Sequence, residues 1–238
     1  MGWSERRGLG VVEIEGQAGS MDGGVATRVG GHDVILLADR GLFHIATSTL
    51  FVADLHLGKD STFRRHGVPV PTGSTAGTLC RVEKMIHTTG ARRLVLLGDL
   101  FHSRSSLSRD SLNAARPFFQ RHRKLHPTLI LGNHDRAVGI LPADLSVKVV
   151  GPAMDASGLF CAHQPDEIPN EIDLGLCGHL HPCITVGDQN DRIRLRCFWR
   201  DGNRLVLPAV GDFTGGHRIR RRAGDQVWAV TEETVLPL

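Results

Sequence analysis

Tyrosine is absent from this chain of 238 residues, and only nine phenylalanines and three tryptophans are present. None of them alternates with basic residues in a repeat, so the sequence does not predict extended single-strand binding by base stacking. No helix-turn-helix or zinc-finger spacing is present either, which argues against sequence-specific DNA recognition. Any contact with nucleic acid should therefore depend on the backbone more than on the bases.

Paired cysteines and long apolar runs are also lacking. The five cysteines form no CxxC pair and are odd in number, which favours a reducing compartment. No apolar stretch of signal-peptide length follows the charged N-terminus, and no segment approaches the roughly 20 apolar residues of a membrane span. We therefore expect a cytoplasmic protein, and its net charge of +3 suits a polyanionic partner without requiring one.

The order of apolar patterns predicts an α/β fold. A hairpin is expected around residues 39–41, an irregular loop over 60–73, and amphipathic helices after Leu79 and Leu112, with short buried strands between them. Beyond residue 145 short strands dominate. Residues 1–24, rich in glycine and charge, predict a flexible N-terminal arm, and the absence of repeats and linkers predicts a single domain over 25–238.

Histidine, by contrast, occurs 13 times, and many copies follow short apolar strands. Because the carboxyl ends of strands in α/β sheets are where sites assemble, these side chains should meet in one cleft. Each motif alone has an ordinary explanation, such as a helix-capping turn for GNHD or surface histidines for GHLH. Their occurrence together, in order, favours a metal site. The sequences are LFVADLH (Asp54, His56), LVLLGDLFH (Asp99, His102), LILGNHD (Asn133, His134, Asp135), LFCAH (His163) and LGLCGHLH (His179, His181).

This series, DLH, GDLFH, GNHD, a lone His and GHLH, resembles the calcineurin-like metallophosphoesterase superfamily over residues 54–181. The flanking text DLHLGK, FRRHGVPVP, VLLGDLFHSR and CGHLHP is similar to the bacterial ligase-associated DNA damage response phosphodiesterases, the PdeM family, over about residues 30–220. The resemblance implies an α/β fold of four layers, α/β/β/α, in which two packed mixed β-sheets are flanked by helices.

The resemblance further implies two divalent metal ions bridged by Asp99. One ion would take Asp54, His56, Asp99 and His181, and the other Asp99, Asn133, His163 and His179. Independently of the family, imidazole, carboxylate and amide donors suit borderline ions, so we expect Mn(II) first, with Fe, Zn or Ni as alternatives. Two such ions stabilise both the attacking and the leaving oxygen of an in-line displacement at phosphorus.

Two further histidines and four cations complete the expected site. His134 resembles the family's catalytic histidine, with an orienting hydrogen bond as the alternative role. His102, where many members have Asp, resembles the nuclease branch and is expected to position substrate, with a structural role as the alternative. Basic residues near the ligands are expected to contact phosphates, although a solvated surface is the alternative: Lys59, Arg64, Arg65 and Arg104. Phe63, in the segment that follows the first motif, is the aromatic residue to test for contact with the substrate.

By resemblance, the expected function is hydrolysis of DNA phosphodiester bonds by an endonuclease of bacterial DNA repair. Its substrate would be single-stranded or damaged DNA, bound without sequence specificity. A DNA ligase, an exonuclease and a helicase of the same pathway are possible partners. Two alternatives stay open, a small-molecule or cyclic-nucleotide phosphoesterase and a non-catalytic scaffold. The scaffold is less favoured because every expected ligand is present.

Overall fold

The computed structural model describes residues 23–155, 158–188 and 191–238. Of the expected N-terminal arm, residues 1–24, the first 22 residues lie outside the described residues. The prediction of one domain over 25–238 stays a prediction.

The first β-sheet has seven strands in the described residues and is mixed, with antiparallel and parallel pairs. Strands β1 to β4 pair antiparallel as successive hairpins, and β4 to β7 pair parallel in chain order. The hairpin predicted around residues 39–41 is confirmed, since Leu36 pairs with Leu42. The strands are β1 (Val25–Val29), β2 (His32–Leu36), β3 (Leu42–His44), β4 (Thr49–Val52), β5 (Arg93–Leu96), β6 (Thr128–Ile130) and β7 (Lys148–Val150).

The α-helices of the described residues all lie before residue 139. They are α1 (Lys59–Arg65), α2 (Ser74–Thr89), α3 (Arg109–Arg121) and α4 (Asn133–Val138). The two amphipathic helices are confirmed as α2 and α3, and α2 ends at Gly90, whose φ of 62° is the left-handed conformation typical of a helix C-cap.

The prediction of an irregular loop over residues 60–73 is wrong for its first half. Helix α1 has only seven residues, too few for a periodic apolar pattern to be visible. It is stabilised by an ion pair between Asp60 and Arg64, one turn apart at 3.1 Å. A tertiary contact, the 3.1 Å hydrogen bond between the hydroxyls of Thr62 and Ser106, holds it to a distant loop.

The second sheet has nine strands in the described residues and is also mixed. The ten-residue β12 organises it, pairing antiparallel with β11, β13 and β15. The strands are β8 (Ala153–Met154), β9 (Phe160–Cys161), β10 (Gly175–Cys177), β11 (Pro182–Gly187), β12 (Arg192–Asp201), β13 (Arg204–Val206), β14 (His217–Arg218), β15 (Gln226–Val230) and β16 (Val235–Pro237).

Successive side chains along the strands of the first sheet point to opposite faces, so the two faces belong to two separate hydrophobic cores. In β4, Leu50 and Val52 pack with α2 and α3, whereas Phe51 and the following Ala53 pack against the second sheet. Phe198 of β12 belongs to the core between the sheets and is fully buried. The predicted α/β sandwich of two packed mixed sheets is thus confirmed. Its described α-helices lie on the first sheet.

The ends of parallel strands position the motif residues. β4, β5 and β6 are parallel neighbours, so the turns that follow them emerge at one edge. In the second sheet β9 and β10 are likewise parallel neighbours. An isolated bridge between Ala53 and Ala209 joins the two groups of strand ends. No helix among the described residues is long and apolar enough to cross a membrane.

Candidate metal centre

Left-handed backbone conformations are concentrated in the motif turns. Of the expected metal ligands, Asp54, His56, Asp99, His179 and His181 have φ values of 53°, 45°, 53°, 68° and 48°. This region is unfavourable for residues with a Cβ atom, and such strain tends to occur at functional sites. The strained backbone of these turns therefore fixes the directions of the ligand side chains.

The glycines that precede the ligands make room for ligands from other strands. A Cβ atom on Gly98 would overlap the imidazole of His163, and one on Gly132 would overlap a carboxylate oxygen of Asp99. A Cβ atom on Gly178 would similarly approach the carboxylate of Asp54. The glycines of the GD, GN and GH motifs are therefore required by close packing within the site.

The structure brings together the first expected ligand set. The Nε2 atoms of His56 and His181 are 3.3 Å apart, and His181 Nε2 is 3.3 Å from Asp54 Oδ1. His56 Nε2 is also 3.6 Å from Asp99 Oδ2. Burial lowers the pKa of His56 to about 2, so its ring is neutral and keeps a lone pair for a metal ion.

The second expected set meets around His163 Nε2. Asn133 Oδ1 is 2.9 Å from this atom, His179 Nδ1 is 3.2 Å away, and Asp99 Oδ1 is 3.4 Å away. The other ring nitrogen, Nδ1, donates to the backbone carbonyl of Leu97 at 2.9 Å, which orients the ring. Asp99 therefore lies between the sets, with one carboxylate oxygen directed to each.

These donor–donor distances fit two cation sites that share Asp99. Donor atoms that bind one cation at about 2.1 Å lie roughly 3.0 to 3.4 Å apart, because coordination angles are near 90 to 109°. Asp54, His56 and Asp99 come from the first sheet, and His163 and His181 from the second, so each set combines donors from both sheets. The buried cluster of His and Asp side chains can thus hold metal ions, and its mixed donors fit borderline cations.

Asp135, which the sequence pattern grouped with the metal-binding side chains, has a different role. Its carboxylate accepts hydrogen bonds from the backbone N–H groups of Asp99, Leu100 and Gly132 at 2.7, 3.0 and 3.0 Å. It is fully buried, and this burial raises its pKa. Asp135 therefore fixes the turn that carries Asp99. A carboxylate three residues after a glycine, at the start of a helix, is the sequence signal for such a cap.

His102 and His134 lie together at the open side of the cluster. Their rings stack at a centroid distance of 4.9 Å, and His134 Nε2 is 3.9 Å from Asp99 Oδ2. His102 Nδ1 lies 3.4 Å from His56 Nδ1. Burial, with the charges of Lys59 and His134, lowers the pKa of His102 to about 4. A neutral His102 can accept from His56 at Nδ1 and present Nε2–H outward.

The four expected substrate-binding cations differ in their surroundings. Lys59, half-buried, interacts with the charge of Asp99, and its Nζ is 5.8 Å from the Phe63 ring centroid. Arg64 is bound to Asp60 and to the carbonyl of Pro71, each at 3.1 Å. The other two are near the 3-10 turn of residues 104–106: Arg65 donates to Ser105 O, and Arg104 begins that turn.

Arg196 is a nearby residue that the sequence pattern did not single out. It is half-buried, and burial lowers its pKa. Its guanidinium donates to the carbonyl of Ala209 and to the hydroxyl of Thr214, at 3.1 and 2.8 Å. In the alternating stretch RIRLR it looks like one of several solvent-exposed arginines. Its partial burial and its four hydrogen bonds to a distant loop distinguish it from the exposed Arg192 and Arg194.

Comparison with solved structures identifies similar proteins. Nuclease MPE from Pseudomonas putida has 31% sequence identity and a TM-score of 0.78, and the match covers 90% of this chain and 100% of that one. YfcE, a phosphoesterase from E. coli, has 20% identity and a TM-score of 0.40, with 79% of this chain and 95% of that chain covered. No protein-family model matches the chain. No curated protein matches it either.

The full-length similarity to the Pseudomonas putida protein agrees with the sandwich fold and with the clustered motif residues. The chain belongs to the metallophosphoesterase superfamily. The prediction of a metal-dependent phosphodiesterase is confirmed at this level. The individual ligand assignments stay predictions from the motif series.

Gly132→Ala tests the crowding of the centre. Gly132 has an extended backbone that alanine also adopts, but a Cβ atom there would overlap both the carboxylate and the backbone nitrogen of Asp99. We expect cation affinity to fall at least about tenfold, since displaced donors weaken coordination. Titration calorimetry with Mn(II) measures this. Gly151→Ala, whose Cβ would meet nothing within 4 Å, is the control. Equal affinities of the two variants would contradict the close packing.

Proton release provides a second test. Burial alone would lower the pKa of His163, but its hydrogen bond to Asp99 and the charge of Asp54 raise it to about 9 in the metal-free chain. A cation must displace this proton, so apparent affinity should rise about tenfold per pH unit from neutrality to about pH 9. Calorimetry in two buffers of different ionisation enthalpy counts the protons. An enthalpy that is independent of buffer would contradict protonation of His163.

Proposed function

We propose that this chain is a two-metal phosphodiesterase that cuts DNA as an endonuclease. Its substrates are single-stranded or damaged DNA molecules in bacterial DNA repair. Mn(II) is the expected cation, and the cytoplasm the expected location. The narrower resemblance to the ligase-associated phosphodiesterases suggests a pathway shared with a DNA ligase, an exonuclease and a helicase.

The observation that carries the proposal is the convergence of donors on two points joined by Asp99. His163 Nε2 and His56 Nε2 lie 3.4 and 3.6 Å from different oxygens of the Asp99 carboxylate. Two neighbouring cation sites of this kind suit in-line displacement at phosphorus. The Pseudomonas putida protein of similar structure is a nuclease, which favours a nucleic-acid substrate over a small phosphate ester.

The chain's own residues would perform distinct tasks. Cations held by the two donor sets would supply Lewis-acid charge and would lower the pKa of nearby water. The backbone N–H of His134 donates to Asp99 Oδ1 at 3.0 Å, so orientation of Asp99 does not require the His134 side chain. That side chain, a third exposed, hydrogen-bonds through Nδ1 to the carbonyl of His102. Its Nε2–H, when the ring is protonated, can be given to the leaving oxygen.

The helix that carries Lys59, Arg64 and Arg65 supplies a cationic rim. Thr62 and Ser106 join α1 to the turn that begins with Arg104, so these cations border one edge of the site. Successive phosphates of a strand can contact several of them. Binding should therefore weaken steeply with salt. A small monoester would gain little from such a rim.

Metal-stripped protein with Mn(II) restored should hydrolyse bis-p-nitrophenyl phosphate and cut circular single-stranded DNA. Cutting of a circle requires an endonuclease. Asp99→Asn is the matched variant, because an amide oxygen can still accept from His134 N–H but lacks the charge. We expect it to lose about a thousandfold or more of the activity. Activity confined to p-nitrophenyl phosphate would instead support the small-molecule alternative. Inactivity on bis-p-nitrophenyl phosphate, p-nitrophenyl phosphate and circular DNA alike would favour the non-catalytic scaffold.

His134→Ala tests leaving-group protonation. Because the main chain, and not the imidazole, orients Asp99, cation content should be unchanged. We expect losses of about a hundredfold or more on DNA, whose alkoxide leaving group needs a proton, and smaller losses on p-nitrophenyl esters. Single-turnover rates on both substrates and metal analysis provide the measurement. Equal losses on the two would argue against a general acid.

A further inference from the structure

Phe213 combines two unfavourable properties. Its side chain is 40% exposed, although it is large and apolar. Its φ of 56° lies in the left-handed region, where a bulky residue is rare and glycine would be less strained. Among the described residues it is the one Phe or Trp carried on such a backbone. A residue selected for stability alone would not be Phe.

The loop that carries Phe213 is attached to the metal-binding turns at both ends. The N–H of Gly211 donates to the carbonyl of Asp54 at 3.1 Å, and the N–H of His217 donates to the carbonyl of His181 at 3.0 Å. Phe213 lies between these attachment points in the chain. The backbone of Phe213 is therefore held in a loop beside the turns of Asp54 and His181, two donors of the first set.

Arginines from other elements, Arg196 and Arg81 among them, hold the same loop. Arg196 donates to Thr214 Oγ1 at 2.8 Å and to its carbonyl at 3.2 Å. Arg81 donates to the carbonyl of Val210 at 3.0 Å and to the carboxylate of Asp212 at 3.2 Å. The residues on either side of Phe213 are thus fixed. The backbone that carries the ring therefore has little conformational entropy left to lose on contact with a ligand.

We propose that Phe213 is a substrate-positioning residue that stacks on a nucleobase next to the scissile phosphate. This inference rests on the proposed DNA activity and specifies how a strand is held there. Stacking on an aromatic face is tolerant of sequence, because every base has a π-face. A single ring suits a chain that has no row of aromatic residues. The cationic rim then holds phosphates, and Phe213 sets the position of one nucleoside.

The test compares two single-stranded oligonucleotides of equal length, one of thymidines and one in which the bases are replaced by abasic tetrahydrofuran. For the wild type, KM should be lower on the base-bearing strand. Phe213→Leu, which keeps apolar volume but loses the ring face, should raise that KM about tenfold, with a much smaller change in kcat. Phe213→Trp should restore discrimination between the strands.

Phe213→Gly separates this role from a structural one. Glycine relieves the left-handed backbone, so the thermal midpoint should stay the same or rise while KM rises as in Phe213→Leu. Ile140→Ala, at a position 97% exposed, is the surface control. Unchanged KM in Phe213→Leu, or an equal rise on the abasic strand, overturns the inference alone. If the wild type cuts neither strand, the DNA activity itself is wrong and the inference falls with it.

Discussion

The convergence of electron-pair donors on two buried points is the constraint on which this structure depends. His56, His181 and Asp54 direct acceptor atoms at one point, and Asn133, His163 and His179 direct theirs at another. Such groups repel each other in a buried setting unless a cation or a proton lies between them. The metal-free chain partly relieves this by retaining a proton on His163, whose pKa is raised to about 9. Divalent cations relieve it fully.

The rest of the fold serves to keep these donors close. Parallel strands bring their carboxyl ends to one edge, strained turns direct the side chains inward, and glycines leave space for the neighbouring ligand. Asp135 then fixes the turn of Asp99 through three backbone hydrogen bonds. Rigid support of this kind is what reactive sites require, because small displacements weaken coordination.

The sequence predicted the parts that depend on local pattern. Buried strands followed by Asp, Asn or His were readable because strand ends meet at one edge, and the helix ending at Gly90 was readable from its apolar spacing. Helix α1 was missed because its seven residues are held by tertiary contacts that no local pattern reveals. Arg196 was missed for a similar reason, since its partial burial and its four hydrogen bonds to a loop 13 to 18 residues away are tertiary features that no local pattern reveals.

The origin of the donors in both sheets has a consequence for the molecule as a whole. Each expected cation would join residues far apart in the chain, such as Asp54 with His181 and Asn133 with His163. Binding that occurs only when the sheets are together adds its free energy to the association of the sheets. Metal supply would then affect the stability of the folded sandwich as well as its activity. Starvation for the ion would expose the protein to unfolding and proteolysis, which couples its abundance to cellular metal status.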